Sequence, residues 1–423
     1  MATYVLIFIN IGQKMITNKL DTEFWVITDT HLIANQLHDN GPAFKQIQST
    51  SQGKDLVYQE IALRAFCKFA NEKKPAAIIV TGDVTFNGEL LSAQRFQKIF
   101  SSLTDTKLFL LPGNHDIFDG WARSFSNDQQ LYTKQISPTD WRNIFHESYD
   151  HAWATDSSSL AYSIQLNPQY LLLMLDTNIY GQKEALRSPV TAGFIGEMQL
   201  AWLEKQLKFA QKHNLYPLLF MHHNLYVHNP AVNHGFVIDN ASSLSQLCQK
   251  YDVKLAFSGH IHAQNIVKPQ PNIPTTEIVT SSFCSFDQAY GLVKVKKNQI
   301  RYQRQTFNMR PYLSAEEQKS YILTHFHNYL KDIQLKNLTH NMTQKDKNSG
   351  QKINKFFIEA NYNYFTGHNH INEKKLIQLY NSEQYRLLTK YQPKLGRYLQ
   401  TLFDTTDHSN LNIQINFKEK QNE

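Results

Sequence analysis

Five times between residues 24 and 262, a short apolar run stops at Asp, Asn or His. Phe24 to Thr28 leads into Asp29-Thr30-His31, and Ala76 to Val80 into Thr81-Gly82-Asp83. Leu108 to Leu111, closed by Pro112, opens the tetrapeptide Gly113-Asn114-His115-Asp116. Tyr216 to Met221 ends in His222-His223-Asn224, and Leu255 to Phe257 in Ser258-Gly259-His260-Ile261-His262. Buried strand, tight turn, then polar side chains is the order that sets chemistry at the carboxyl end of a strand in an open α/β sheet. A period of two puts Asp29 and His31 on the same side if the first strand continues through them. Taken singly, each case has a bland explanation. An Asp after a strand caps the next helix, Gly-Asn is a common turn dipeptide, and a lone His is more often a satisfied polar group than a ligand. Five in succession are not explained that way.

The segments between these runs supply the rest of an α/β fold. Asp55 to Asn71 and Glu89 to Leu103 carry apolar residues at helical spacing, so the first third reads β-α-β-α-β. The stretch from Leu32 to Gly53 is polar, contains Gly and Pro, and reads as a loop. From Asp119 to Ser159 the rhythm breaks into an aromatic and polar excursion with one helix expected at Thr139 to Tyr149. Ala161 to Asp176 reads as a hairpin turning at Asn167-Pro168, Met198 to His213 as an amphipathic helix, and Glu277 to Phe307 as closing strands. Beyond Pro311 the pattern is helical at Tyr321 to Leu335, Lys352 to Tyr364, Glu373 to Tyr391 and Leu395 to Phe403. Lys345 to Gln351 reads as a polar linker, and Leu411 to Phe417 alternates like a final strand. Three parts are therefore expected: an N-terminal extension over 1–20, a catalytic domain over 21–308, and a mainly helical domain over 309–423.

Composition narrows the classes of function. No apolar run approaches the ~18 residues of a membrane span. Tyr4 to Ile11 is short, lacks a preceding Lys or Arg, and makes a poor signal peptide. Three scattered cysteines, Cys67, Cys248 and Cys284, suggest neither a disulfide framework nor a Cys metal site. A reducing, cytoplasmic setting is the expectation. The net charge of +7 sits mostly from Met309 onward, where 16 Lys plus Arg face 11 Asp plus Glu. No basic block interleaved with aromatics indicates a nucleic-acid surface.

The strand ends offer Asp29, His31, Asp83, Asn114, His222, His260 and His262 as candidate ligands. Carboxylate, imidazole and amide oxygen together suit Mn²⁺, Fe²⁺/Fe³⁺ or Zn²⁺ and argue against Cu(I) or Fe–S centres. Seven donors exceed one tetrahedral ion and suffice for two ions sharing a carboxylate, which stand ~3.5–4 Å apart in such centres. Two-metal sites serve in-line displacement at phosphorus, so a phosphate ester is the natural substrate.

In this order, D-x-H (Asp29, His31), G-D (Gly82, Asp83), G-N-H-D (Gly113 to Asp116), a His after an apolar strand (His222) and G-H-x-H (Gly259 to His262) resemble the calcineurin-like metallophosphoesterases. The resemblance covers roughly Phe24 to Phe307. It implies a four-layer α/β/β/α sandwich, two mixed sheets flanked by helices, here followed by the helical C-terminal domain. It implies that Asp29, His31 and His262 hold one metal, that Asn114, His222 and His260 hold the other, and that Asp83 bridges them. His115 then faces the leaving group as general acid, with Asp116 orienting it, and Asn114, His115 and His262 contact substrate. Within the family the pattern is similar to the bacterial class III cyclic-nucleotide phosphodiesterases. Further features of that likeness are Leu175-Asp176-Thr177-Asn178, the Gln199-x-x-Trp202-Leu203 helix and His222-His223.

The expected activity is hydrolysis of a phosphodiester, with a cyclic nucleotide such as 3′,5′-cAMP as the leading substrate. Alternatives are another phosphodiester or pyrophosphate (a glycerophosphodiester, a nucleotide-sugar, a 2′,3′-cyclic nucleotide) or a non-catalytic binding protein on the same fold. Of the adjacent pair, His222 rather than His223 is read as the ligand, being first past the strand. Gly367-His368-Asn369-His370 repeats the G-H-x-H spelling after a helical, aromatic stretch and is read as a surface loop. Substrate walls are expected from 119–159, with Trp121, Trp141 and Trp153, and from Tyr226 to His234. The C-terminal region is expected to pack against the sandwich or act as a lid, and it is a candidate homo-oligomer surface.

Overall fold

The computed structural model describes residues 15–340 and 347–418. The apolar run Tyr4 to Ile11 and the first part of the expected linker, 345–346, lie outside the described residues.

The strands, in chain order, are β1 (Thr22–Ile27), β2 (Ala77–Thr81), β3 (Lys107–Leu111), β4 (Arg123–Ser126), β5 (Gln129–Tyr132), β6 (Ala154–Thr155), β7 (Tyr162–Gln165), β8 (Tyr170–Met174), β9 (Tyr216–Phe220), β10 (Leu255–Ser258), β11 (Asn265–Val267), β12 (Thr276–Val279), β13 (Ala289–Lys296), β14 (Gln299–Thr306) and β15 (Asn412–Asn416). Two mixed sheets carry the fold, ordered β15-β14-β13-β1-β2-β3 and β11-β12-β10-β9-β8-β7-β6, with β4 and β5 as a separate hairpin. In the first sheet β1, β2 and β3 run parallel; in the second β8, β9, β10 and β12 do.

The period-two alternation of a strand explains how the layers assemble. Phe24 and Val26 of β1 point inward and meet Phe220 and Phe257 of the other sheet in one core. Trp25 and Ile27, one residue out of phase, point outward to Phe66 and Phe96. Those two belong to α2 (Gln59–Lys73) and α3 (Leu90–Phe100), which follow α1 (Pro42–Thr50). The excursion contains α4 (Pro138–Ile144) and α5 (His146–Asp150). The outer face of the second sheet is covered by α6 (Glu197–Lys212) and α7 (Ala241–Lys250), through Trp202, Leu203, Leu244 and Cys248. The result is the expected α/β/β/α sandwich.

The C-terminal part comprises α8 (Tyr321–Thr324), α9 (Phe326–His340), α10 (Lys347–Phe365), α11 (Glu373–Tyr380), α12 (Glu383–Tyr391) and α13 (Pro393–Gln400). It does not pack as a separate body. Leu323, Phe326 and Leu330 join the core beneath α2, while Phe357, Tyr364, Leu388 and Leu399 close over Ile261, Ala263 and Val279. The chain then returns as β15 to the edge of the first sheet, antiparallel to β14. At the other end, Ile16 and Thr17 donate to the carbonyls of Gln165 and Leu166.

Several local expectations change. The stretch 32–53 contains α1, with Pro42 in its first turn, where proline lacks only a hydrogen bond the helix cannot make anyway. The expected helix over 139–149 is two, broken at Phe145. The helices expected over 321–335 and 373–391 are also divided; Ser320 caps the first piece of one and Ser382 the second piece of the other. Residues 347 to 351 belong to α10 rather than to a linker.

Candidate active site

The carboxyl ends of β1, β2, β3, β9 and β10 converge at one edge of the sandwich. Their loops are stitched together by the backbone: Asp29 N–H donates to Gly82 O, His31 N–H to Asp83 O, and Gly259 N–H to His222 O, each at 3.0 Å. Strand β1 stops at Ile27, so Asp29 and His31 do not share a side through a continuing pleat. Both instead adopt left-handed backbone, with φ of 51° and 41°. Asp83, His260 and His262 do the same, at 49°, 70° and 60°. Such backbone costs non-glycine residues on the order of 1–3 kcal/mol each and persists at functional sites where the surroundings enforce it. Gly113 and Gly259 serve a different need, close approach. A Cβ on Gly113 would overlap the Asp83 carboxylate, and one on Gly259 the Thr28 hydroxyl and the Asp29 carboxylate.

Two groups of donors result, and Asp83 belongs to both. In the first, His31 Nε2 stands 3.2 Å from His262 Nε2 and 3.6 Å from Asp83 Oδ2, and His262 Nε2 is 3.2 Å from Asp29 Oδ1. In the second, His222 Nε2 is 3.4 Å from Asp83 Oδ1 and 3.2 Å from Asn114 Oδ1, with His260 alongside. The two oxygens of Asp83 thus face opposite groups. Asp29 Oδ2 accepts from Thr28 Oγ1 and from His260 N–H, whereas the buried Oδ1 has no hydrogen-bond partner. An orphaned carboxylate oxygen among imidazole nitrogens fits a cation at this point.

The rings are oriented from behind. His222 Nδ1 lies 2.8 Å from Thr81 O, which fixes its proton there and turns the Nε2 lone pair inward. His260 Nε2 lies 3.1 Å from both Thr191 O and Gly235 O, leaving Nδ1 for the cluster. His223 uses both nitrogens elsewhere, Nδ1 with Thr177 Oγ1 at 2.8 Å and Nε2 with Thr191 O at 3.1 Å.

Burial opposes charge throughout the site. It would raise the Asp83 carboxyl, but His222 and the neighbouring imidazoles outweigh it and hold the group well below its usual range. Burial would likewise lower His222, yet Asp83 raises it to about 9. His260 is lowered to about 3 by burial and then by His222, and His31 is held well below its usual value by burial and then by the Lys54 ammonium. Ionised Asp83 beside neutral His31 and His260 is the protonation pattern that metal ligation requires, and an ion would take the place of the proton that Asp83 holds on His222.

One expectation is corrected by the hydrogen bonding. Asp116 does not orient His115. Its buried carboxylate accepts from the N–H groups of Val84, Thr85 and Gly113 and from Thr85 Oγ1, pinning the Asp83 loop to the Gly113 turn. The carboxylate on His115 is Asp119, with Oδ2 3.1 Å from Nδ1. Asp119 Oδ1 accepts from Trp121 N–H at 2.8 Å, and the whole residue is 0% exposed. His115 N–H donates to Asp83 Oδ1 at 2.9 Å, so this residue is tied to both the cluster and Asp119.

Asp83, Asn114, His115, His260 and His262 line a cavity of about 1350 Å³. Of the expected walls, Trp121 and Val232 contribute. Trp141 is instead buried in the core, and Trp153 stacks on Phe209 at 5.1 Å. The opposite wall is C-terminal: Phe357, Asn361, Tyr364 and Phe365 from α10, and Leu395 and Tyr398 from α13. Phe365 stacks on Phe286 with ring centroids 4.6 Å apart. Lys54 also lines the cavity, from the polar stretch preceding α2. No sequence signal distinguishes these aromatics from ordinary helix core. The second G-H-x-H spelling follows α10, with His368 and His370 exposed and Asn369 donating to Leu402 O.

Comparison with known proteins agrees with this fold. A family model described as calcineurin-like phosphoesterase matches residues 22–264, and one described as the C-terminal domain of cyclic nucleotide phosphodiesterase matches 308–409. A probable glycerophosphodiester phosphodiesterase of Arcobacter nitrofigilis is 29% identical over 198 residues, 45% of this chain and 57% of that protein. A probable cyclic nucleotide phosphodiesterase of Xenorhabdus bovienii is 24% identical over 243 residues, 57% of this chain and 78% of its own length. A 3′,5′-cyclic adenosine monophosphate phosphodiesterase of Escherichia coli K12 is 26% identical over 239 residues, 56% of this chain and 68% of that one. The crystal structure of a zebrafish dimetal phosphatase superposes with a TM-score of 0.51 at 12% identity, over 67% of this chain and 96% of that one, a likeness of fold. With more than half of its length matched by the first model, and the strand-end donors gathered at one edge of the expected sandwich, the chain belongs to the calcineurin-like phosphoesterase family.

Proposed function

We propose that the protein hydrolyses a phosphodiester of nucleotide type at a dinuclear metal centre. Asp29, His31 and His262 would hold one ion, Asn114, His222 and His260 the other, and Asp83 would serve both. The observation that carries this is the shared carboxylate: the two oxygens of Asp83 face two separate donor groups on the floor of a cavity of about 1350 Å³. Mn²⁺, iron and Zn²⁺ all suit the donor set. When bound, such ions supply Lewis-acid polarisation of the phosphoryl oxygens and a nucleophilic water at neutral pH.

The chain does the rest. His115, turned by Asp119 so that Nε2 is free for the cavity, gives a proton to the departing alkoxide, an assistance typically worth ~10²–10⁴-fold. Asp119 holds the ring and balances its charge from a buried position. Asn114, His115 and His262 line the cavity where the diester sits. The aromatic faces of Phe365, Tyr364 and Tyr398 on the far wall suit a planar base. A cyclic nucleotide such as 3′,5′-cAMP is the first substrate to try, and the name of the Escherichia coli relative supports it.

The test is a substrate panel on metal-loaded protein: bis(p-nitrophenyl) phosphate, cyclic mononucleotides, nucleotide-sugars and glycerophosphodiesters. Turnover of diesters that vanishes on chelation and returns with Mn²⁺ is expected. No turnover of any diester with two ions bound would leave a binding protein on this fold.

A further inference from the structure

Beyond the metal centre, the cavity has an unmatched cation. Among the described residues, the Lys54 ammonium makes no ion pair and no hydrogen bond, although it lines the same cavity as Asp83, His115 and His262. It is also one wall of a second, adjoining cavity of about 320 Å³, lined by Lys45, Lys54, Lys336, Ser49 and Tyr329 among others. Among the described residues, that smaller cavity is lined by three lysines and no carboxylate. Among the described residues, the larger one is lined by one acid, Asp83, and by a second lysine, Lys394. A diester seated on the metals therefore looks outward into a positive field.

The backbone that presents Lys54 is held on both sides. Gly53 has φ +83°, a conformation costly for other residues, and its carbonyl accepts from Gln334 Nε2 of α9 at 2.8 Å. A Cβ on Gly53 would overlap the Gln334 amide. On the other side the buried Asp55 carboxylate accepts from Val57 N–H, Tyr58 N–H, Gln59 Nε2 and Tyr329 OH, the last at 3.1 Å from α9. Asp55 is thus occupied by its own donors, and α9 fixes the turn that aims Lys54.

We propose that Lys54 is the anion-binding residue of a second subsite, continuing from the metal centre toward Lys45 and Lys336, which selects substrates bearing a phosphate or carboxylate besides the scissile diester. The proposal rests on the diesterase reading above and narrows it. A cyclic mononucleotide carries its only charge on the diester and leaves Lys54 unmatched, whereas a dinucleotide-type diester or one with a terminal phosphate fills both positions. It also makes α9 the element that sets Lys54, through Gly53 and Asp55.

The test is calorimetric titration of metal-loaded protein with adenosine 5′-monophosphate and with adenosine 3′,5′-bisphosphate. Metal content is measured on each sample. Charge-assisted contacts predict at least about a 10-fold tighter binding of the bisphosphate by the wild type. That ratio should fall to about one in Lys54→Met and return in Lys54→Arg. Equal binding of the two nucleotides by the wild type, or an advantage that persists in Lys54→Met, overturns the proposal. Because the readout is binding, it stands apart from diester turnover. A chain that discriminates the two nucleotides yet hydrolyses no diester would retain the subsite and lose the diesterase reading.

Discussion

Replacing Asp119 with Asn isolates the link between the Gly113 turn and proton transfer. The carboxylate is fully buried and lies 3.1 Å from His115 Nδ1. A hydrogen bond to a charged partner contributes about 1.5–3 kcal/mol and a neutral one about 0.5–1.5, so the exchange costs roughly 1–2 kcal/mol. That is about 5- to 30-fold in rate if the protonated ring is needed at the transition state. The single Asn oxygen can accept from the ring or from Trp121 N–H but not from both, so the cost is at least this much. The assay is kcat for an aryl diester and an alkyl diester, with metal content on each sample. The alkyl substrate, whose poor leaving group needs a proton, should suffer more. Asp116→Asn should behave differently, loosening the Val84, Thr85 and Gly113 contacts and with them the Asp83 loop. An Asp119→Asn enzyme indistinguishable from wild type, beside an Asp116→Asn enzyme with full metal content and a selectively lowered kcat on the alkyl diester, would refute this assignment.

His115→Ala should keep two ions and lose ~10²–10⁴-fold in kcat on an alkyl diester; loss of metal instead would make His115 a ligand. Glu89 gives a pH effect away from the centre. Its carboxyl is fully buried, and burial raises it to about 8 from an ordinary 4.5. The folded state therefore holds a proton that the unfolded chain has released, so stability falls as pH rises from about 4.5 toward 8. Glu89→Gln should flatten that decline and melt higher than wild type above pH 8; thermal melts at pH 6 and 8.5 that shift in parallel for both proteins would contradict it.

The strands and their chemistry are legible in the sequence because burial and ligation use few residue types. An uninterrupted apolar run of four to six residues has little choice but a buried strand, and Asp, His and Asn beyond it announce polar work. What the linear pattern hides is how backbone and space complete the site. A pleat of period two would put Asp29 and His31 on one side, but the strand ends before them and two left-handed residues bring them together instead. Asp116 and Asp119 are about one helical turn apart in the sequence, and nothing in their spelling says which faces His115; the four donors on Asp116 decide it. Helix α1 is hidden by Gly41-Pro42, which reads as loop punctuation where it begins a helix. Helix α7 is hidden by a Ser- and Gln-rich segment that buries only Leu244 and Cys248. The cavity wall from α10 and α13 is beyond reach for another reason. Phe357, Tyr364 and Tyr398 have ordinary helical spacing, and only the return of the chain across the strand ends gives them a second role.

The central claim is that one carboxylate serves two ions. Metal analysis of purified wild type and Asp83→Ala, reconstituted identically with Mn²⁺ and desalted, tests it directly, with circular dichroism confirming that both are folded. The account predicts about two ions per wild-type chain and almost none in the variant, because each donor group loses its shared member. An Asp83→Ala protein that keeps one or both ions would contradict it.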